Sequence, residues 1–557
     1  MKMLVVDLLR LGDLLMHRPL YQAMKREHPD VELHILINSD AKVAEPILKQ
    51  WFSEIHIFDR KQYQNACLDR SASLLSAVNQ LSWQIEDLNQ RHFDYVVNMT
   101  QNKLSGYLTD LIEAEEVYGL TIDNKDRSDF FSPWFRYLED HVTLGGANVF
   151  HYNDALAGGL GLQIQPEDLR CRFDEEPQFQ DEVRSLGLKT KGLVVQATSF
   201  DSRKEWDVTS LGDALLAFQS LNQDSSITLI GAPFEADQIQ SLYGQLQARG
   251  LHLQMALLSL GGVTALLNQS KCLLTVDTSI KHLAAGTSCK IVELALGSAD
   301  VRKTGVYKDH SLIIEPKIEC FPCAHRADGC ERKTFECRQA IPGDLAGLAL
   351  SHFYRGTLDG LHVLAEQTKD ECAMSLVKTT PFGFWRKISC SPSDWSFEAS
   401  RLLTMLSTQR LLDGSHKPMG TDVALHLIEE VYLLMGAMDS DRFSKWLKSI
   451  EADSFKKQTT IESMVHISRT LRKHHNPAEC LEKMHQKLVT EIHVDEDPNL
   501  FDRVRRGMEI DWSTSKLVDN FDYLRQLDVA LDHSFQKSEI QHRLIRYAKE
   551  LSERRTR

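Results

Sequence analysis

The stretch KCLLTVDTSIKHLAAGTSCKIVEL, residues 271–294, decides the fold. Lys271–Thr275 is apolar and β-rich and is expected as a buried strand. Thr287–Leu294 has the same character and is expected as the next one. Between them lie a tight polar turn and a short helix that carries His282 on its first turns. Asp277, Thr278 or Ser279 can cap that helix. Its free N–H groups and positive dipole end make an anion site, for which phosphate is the usual guest. An ordinary capped helix in an α/β sheet is the plainer reading of the same residues.

Outward from this stretch the chain alternates strand and helix. Leu4–Leu8 is a first core strand, followed by a Gly12 turn and a helix-like Pro19–Lys25. The turn leaves Asp13 at the carboxyl end of a strand, where ligands gather in open α/β sheets. A plain turn is the alternative reading of this bare Gly-Asp pair. Strands are expected at Val31–Ile37, Ile55–Phe58, Phe93–Asn98 and Val117–Leu120, with helices at Ala41–Trp51 and Leu74–Gln90. This βαβ series implies a parallel sheet covered on both faces. From Asp123 to Asn148 the pattern breaks into an aromatic segment with Phe130, Phe131, Trp134, Phe135 and Tyr137, expected as a lid or as a plug against the sheet. Gln163–Leu188 is polar and expected as a linker between two lobes.

A second lobe opens with the strand Gly192–Ala197. Thr198 and Ser199 can add hydroxyl hydrogen bonds, and Lys204 stands one loop after the strand, where a compact charge can hold phosphates. Further strands are expected at Ser226–Ile230 and Leu251–Met255, the latter followed by Leu258 and a helix from Val263 to Gln269.

Composition bounds the function. The chain has 557 residues, 42% hydrophobic and 25% charged, which is globular and too long for one ordinary domain. A net charge of −14 argues against nucleic acid as a partner. No apolar run is long enough to span a bilayer, so at most peripheral membrane contact is expected. The N-terminal segment is expected to be a core strand and not a signal peptide. The 11 cysteines are mostly scattered, which points to a reducing cytoplasm. The exception is Cys320, Cys323, Cys330 and Cys337, a C-x2-C-x6-C-x6-C cluster whose four thiolates can close a tetrahedral site for zinc or iron, with His325 as a substitute ligand. Reduced, unliganded cysteines are the alternative.

The motif Asp277-Thr278-Ser279-x-x-His282-Leu283-Ala284-Ala285 resembles the Asp-(Thr/Ser)-Gly-x-x-His-(Leu/Ile)-Ala-Ala motif of glycosyltransferase family 9, the bacterial heptosyltransferases. In that family the motif holds the diphosphate of a nucleotide sugar. The likeness extends over roughly the first 350 residues. Arg10-x-Gly12-Asp13 with Pro19 downstream matches the segment whose aspartate is the proposed general base. Gln101 and Lys103 fall in the loop that faces the acceptor, with a solvated loop as the alternative. Lys204 and Trp206 match a Lys-x-Trp-Pro segment, with Asp207 in place of the proline. Glu235 matches a glutamate near the ribose, and Leu258 begins the segment whose backbone reads the adenine edge. Gly297, Asp300, Gly305 and Tyr307 match a later motif that has lost both prolines and its threonine. A subgroup that glycosylates autotransporter proteins holds iron on cysteines like those at 320–337.

The resemblance implies a GT-B fold: an acceptor lobe over residues 1–165 and a donor lobe with the Cys cluster over 188–350, both Rossmann-like, with a cleft between them. An all-α domain over 390–557 is added by the helical patterning of Leu402–Leu412, Val423–Met435, Arg442–Ile450, Ile461–His474, Ala478–Val489, Leu517–Leu531 and Ile540–Arg554. Thr379–Phe384 and Ser389–Ser396 are expected as boundary. The implied reaction is inverting transfer of heptose from ADP-heptose to a hydroxyl of the lipopolysaccharide core or a related glycan, free or lipid-linked. Asp13 would be the base, and Lys204 would stabilise the leaving charge, with no metal needed for transfer. Such an enzyme would work in the cytoplasm, at the inner face of a bacterial inner membrane. Protein O-heptosylation and a non-catalytic nucleotide-sugar-binding scaffold are the alternatives. A nucleotide-sugar epimerase is disfavoured, because no G-x-G-x-x-G follows the first strand.

Overall fold

The computed structural model describes residues 1–68, 74–142, 148–170, 172–173, 176–323, 329–330, 332–380 and 384–413, with isolated positions between 445 and 545. One compact unit comprises Met1–Glu139 and Phe150–Ser391; a second comprises Asp140–Val149 and Pro392–Arg557.

The first unit contains two large sheets. The first is built from β1 (Lys2–Asp7), β2 (Glu32–Asn38), β3 (Glu54–Phe58), β4 (Phe93–Asn98) and β5 (Ala114–Tyr118), in the order β3-β2-β1-β4-β5. All its pairings are parallel. Continuous apolar runs suit such strands because both faces are covered by helices, and Leu4, Val5 and Val6 are fully buried. A two-stranded ribbon, β6 (Thr121–Ile122) and β7 (Ser128–Asp129), follows. The aromatic segment then divides: the helix Pro133–Val142 buries Trp134, Phe135 and Tyr137, while Phe131 stays half exposed. Trp134 and Phe135 pack against Gly158 and Gly159, the end of the helix Tyr152–Gly159.

The second sheet comprises β8 (Leu193–Gln196), β9 (Ile227–Gly231), β10 (Gln254–Leu257), β11 (Cys272–Val276), β12 (Lys290–Leu294), β13 (Leu312–Pro316), β14 (Cys372–Thr379) and β15 (Trp385–Ser389). Its order is β10-β9-β8-β11-β12-β13-β14-β15. β8 to β13 pair in parallel and the last two strands antiparallel. Both sheets thus begin with the 3-2-1-4-5 order of doubly wound dinucleotide-binding folds. The chain has the GT-B architecture of two Rossmann-like lobes.

Two sequence expectations change. The donor sheet does not stop near 350: β14 and β15 complete it, and β15 lies between the two stretches expected as boundary, sharing Ser389 with the second. A strand pairing is set by a partner distant in sequence, so no local signal marks it. The expected linker is also structured, with helices Pro166–Arg170 and Pro177–Ser185. Asp168 is fully buried in it and accepts from the Arg26 guanidinium at 3.0 Å.

In the second unit a short 3₁₀ turn, Pro392–Asp394, leads into the helix Trp395–Leu412. That helix contains the one expected at Leu402–Leu412. The remaining helices expected beyond 413 lie outside the described residues, apart from isolated positions. Among the described residues no helix is long and apolar enough to cross a membrane.

Candidate active site

After β11 the chain turns at Asp277 and Thr278 into the helix Ser279–Ala285, as the opening stretch predicted. Thr278 takes the N-cap position without a side-chain cap bond. Its hydroxyl instead donates to Gln196 Oε1 at 3.0 Å, tying the turn to the end of β8. Gln196 Oε1 also accepts from Thr275 Oγ1 at 2.9 Å.

Asp277 is buried beneath this turn and salt-bridged to two lysines, Lys204 Nζ and Lys281 Nζ, each at 2.5 Å. Lys281 continues to Glu293 Oε1 at 2.6 Å, and Glu293 Oε2 accepts the Val306 N–H at 2.9 Å. Burial pushes the Asp277 carboxyl up, but the two lysines more than offset this and hold it below the usual carboxylate range. Burial works against the Lys281 charge too, and its two carboxylates raise it above an ordinary lysine. Charges this deeply buried persist only when each is paired. The chain Lys204–Asp277–Lys281–Glu293 therefore fixes Lys204, the only member of the four that is not almost fully buried.

Around Lys204 the donor lobe supplies further polar groups. Glu235 Oε1 accepts from Thr198 Oγ1 at 2.9 Å, and Glu235 Oε2 from the Ala232 N–H at 2.7 Å. The Ser199 N–H donates to Glu205 at 2.9 Å. Leu258 is buried, and its N–H donates to Gly231 O at 3.1 Å at the end of β9. Asp207, which replaces the expected proline, caps the helix Val208–Leu221 by accepting from the Ser210 N–H at 2.9 Å. Phe200 and Phe234, on the loops after β8 and β9, stand in solvent.

The first lobe brings Asp13 to this region. It lies in the short helix Leu11–Met16, which packs on the Ser279–Ala285 helix. A Cβ placed on Gly12 would sit 3.5 Å from the Cα of Ser279 and 3.7 Å from Cδ2 of His282. Asp13 is half-buried and accepts the Arg10 N–H at 3.3 Å. Burial raises its carboxyl above the ordinary value; His17 acts against this and the buried Asp7 adds to it. Asp7 closes a network beneath the helix, with His17 Nδ1 at 2.7 Å and the Tyr21 hydroxyl donating at 3.0 Å. His17 Nε2 is buried with no hydrogen-bond partner among the described residues. Burial, with Lys281 adding to it, holds the ring of His282 well below the ordinary histidine range.

The structure therefore brings Asp13, Lys204, Thr198, Asp277, Thr278, Ser279 and His282 to one region where the lobes meet. Gln101 and Lys103 are held by their own lobe. Gln101 adopts a left-handed backbone, φ 51°, and its amide donates to Asn98 O, while Lys103 is exposed and paired with Asp126 at 2.9 Å. The sequence reading missed Lys281, Glu293, Asp7 and His17. Two signals were present: the i,i+4 spacing of Asp277 and Lys281, and an acid inside the apolar strand Ile291–Leu294.

The four cluster cysteines are reduced, Cys337 buried and the others partly exposed. His325 lies outside the described residues. Backbone N–H groups of Phe335, Arg332, Lys333 and Thr334 favour the Cys330 thiolate and bring its pKa below the ordinary value. Burial raises Cys323 and Cys337, and the other cluster thiols raise them further.

Residues 84–333 match the family model described as glycosyltransferase family 9 (heptosyltransferase). Lipopolysaccharide heptosyltransferase 3 of Escherichia coli is 21% identical over 296 residues, covering 52% of this chain and 81% of that protein. A family 9 glycosyl transferase from Veillonella parvula aligns at 18% identity with a TM-score of 0.42, covering 56% of this chain and 85% of that one. The E. coli ADP-heptose lps heptosyltransferase II aligns at 13% identity with a TM-score of 0.44, covering 64% of this chain and 99% of that one. Over residues 84–333 this chain is thus similar to glycosyltransferase family 9, and it is a glycosyltransferase.

Proposed function

We propose that the enzyme transfers heptose, with inversion, from ADP-heptose to a sugar hydroxyl of the lipopolysaccharide core or a related surface glycan. The single observation that carries this reading is the packing of the Asp13 helix on the Ser279 helix, beside an anchored Lys204. This packing supports a reading in which a base from one lobe works beside a cationic phosphate site on the other. Lys204, Thr278 and Ser279 would hold the diphosphate. Glu235 and Thr198 would take the ribose hydroxyls, and the backbone at Leu258 the adenine edge.

Asp13 would accept the proton of the acceptor hydroxyl as its oxygen bonds to the anomeric carbon. The bond from that carbon to the diphosphate oxygen breaks, and nucleoside diphosphate leaves with its charge stabilised by Lys204. A carboxyl raised above its ordinary value is a better base for this step than a solvated aspartate. Gln101 and Lys103 would face the acceptor. Work on a cytoplasmic nucleotide sugar at the membrane's inner face is part of the same proposal.

By spacing the four cysteines would be the ligands of a structural zinc or iron ion, though among the described residues the ligand atoms gathered within 4.8 Å of one another are those of His34, Glu54 and His56, not of this cluster. Backbone amides that favour the Cys330 thiolate are in keeping with that reading. Such an ion would cross-link the 320–337 segment and take no part in transfer. The cluster also favours a second reading, protein O-heptosylation, because the protein-glycosylating subgroup carries similar cysteines.

Calorimetry with ADP-heptose and ADP on wild type and Lys204→Ala tests the donor site, and product analysis with core-sugar acceptors tests the reaction. Tight donor binding lost in Lys204→Ala, with transfer lost in Asp13→Ala, is the expected result. Absence of binding by wild type would refute the ADP-heptose assignment.

A further inference from the structure

The first lobe gathers ionisable side chains at a second place, remote from Asp13. β2 and β3 run in parallel, with His34 opposite Glu54 and Leu36 opposite His56. Side chains two apart on a strand share a face, so Glu32 and His34 of β2 and Glu54 and His56 of β3 project together. They lie toward the amino ends of their strands, whereas Asp13 follows the carboxyl end of β1.

The distances are those of a coordination sphere. His34 Nδ1 is 3.1 Å from His56 Nε2 and 3.6 Å from Glu54 Oε2. All three ligand atoms lie within 4.8 Å of one another. In a tetrahedral zinc site with bonds of about 2.0–2.1 Å, ligand atoms are separated by about 3.3–3.4 Å, and the observed pair brackets that edge. The far side of the His34 ring is also arranged for metal binding. Its Nε2 lies 3.0 Å from Glu32 Oε1, and donation there leaves the Nδ1 lone pair facing His56 and Glu54. His34 is buried, while the Glu54 side chain is 38% exposed, which leaves a side open to water. Arg91 pairs with this same Oε2 of Glu54 and also with Asp87 at 3.4 Å, so metal binding would shift Arg91 toward Asp87.

We propose that His34, His56 and Glu54 form a divalent transition-metal site, zinc by preference, that clips the edge strand β3 to β2. Two imidazoles and a carboxylate suit zinc, cobalt and nickel and suit magnesium or calcium poorly. The site is separate from the cysteine cluster and serves the stability of the sheet edge, not sugar transfer.

The test uses the full, untagged, chelator-treated chain titrated with Co²⁺ and followed by absorption. Wild type is expected to take up one equivalent of cobalt that shows ligand-field bands without thiolate-to-metal charge transfer. That equivalent should persist in a Cys320→Ser/Cys323→Ser variant, and its affinity should fall at least about 10-fold in His56→Gln and in Glu54→Gln. Zn²⁺ should raise the thermal midpoint of wild type and of the cysteine variant but of neither strand variant. Circular dichroism checks that both strand variants fold. Slowed modification of histidine by diethyl pyrocarbonate in zinc-loaded wild type gives the same answer without a substitution. Cobalt uptake solely at thiolates, or equal uptake by wild type and both strand variants, overturns the proposal.

Discussion

Lys204 and Asp13 carry the chemistry of the proposal, and each stands on partners that do not touch substrate. Lys204→Ala should lower kcat/KM roughly 100- to 1000-fold, with weaker ADP binding by calorimetry. Asp13→Asn should cost about 10²–10⁴-fold in kcat while leaving ADP affinity near wild type, which separates base from binding site. Because burial raises the Asp13 carboxyl, its active, ionised form is lost at a higher pH than for a solvated aspartate. The acid limb of kcat/KM should therefore lie above the ordinary value of 3.8, with activity falling as pH drops through it. A limb at or below that value would remove Asp13 as the base. Lys281→Met should destabilise the protein by about 3–5 kcal/mol, since Asp277 and Glu293 would be left buried and underpaired. Chemical denaturation measures this.

At the scale of elements, the loop that carries Lys204 is held by a close backbone approach. Gly297, in the loop after β12, has φ 58°, and a Cβ there would lie 2.4 Å from the Arg203 carbonyl oxygen. A left-handed backbone and a backbone neighbour both favour glycine. Gly297→Ala should cost about 1–3 kcal/mol and should also raise KM for the donor, because the loop it displaces carries Lys204. A loss of stability with unchanged KM would mean that the loop relaxes without moving the lysine. The Asp13 and Ser279 helices are both short and draw their rigidity from packing on each other. Neither would hold its functional residue alone.

Over the whole molecule, the two lobes of the first unit are joined by buried polar contacts far apart in sequence. Near the start of the helix Tyr152–Gly159, His151 Nε2 meets Gly305 O at 3.0 Å, and Asp154 accepts from the Tyr307 hydroxyl at 2.6 Å and the Trp385 N–H at 3.1 Å. Trp385 Nε1 donates to Val306 O at 2.9 Å. Trp385 lies on β15, so a chain ended at residue 350 loses the sheet edge and the Trp385 contacts of this junction. Such a truncation is expected to aggregate, whereas one ended at Ser391 should still bind ADP. Expression and calorimetry of the two decide whether the donor lobe ends where the sheet does.

By itself the sequence determined the two βαβ lobes, the strand, turn and helix around 277–279 and the positions of Asp13 and Lys204 after their strands. These are local matters: apolar runs of strand length, capping residues and a motif read at fixed spacing. It did not reveal β15, the helices inside 163–188, or the ion chain from Lys204 to Glu293. Strand addition and charge pairing depend on which distant residues meet, as Lys204 meets Asp277 and Trp385 meets Asp154. Only the tertiary structure decides such meetings, because burial turns an ordinary lysine and an ordinary aspartate into groups that must find each other.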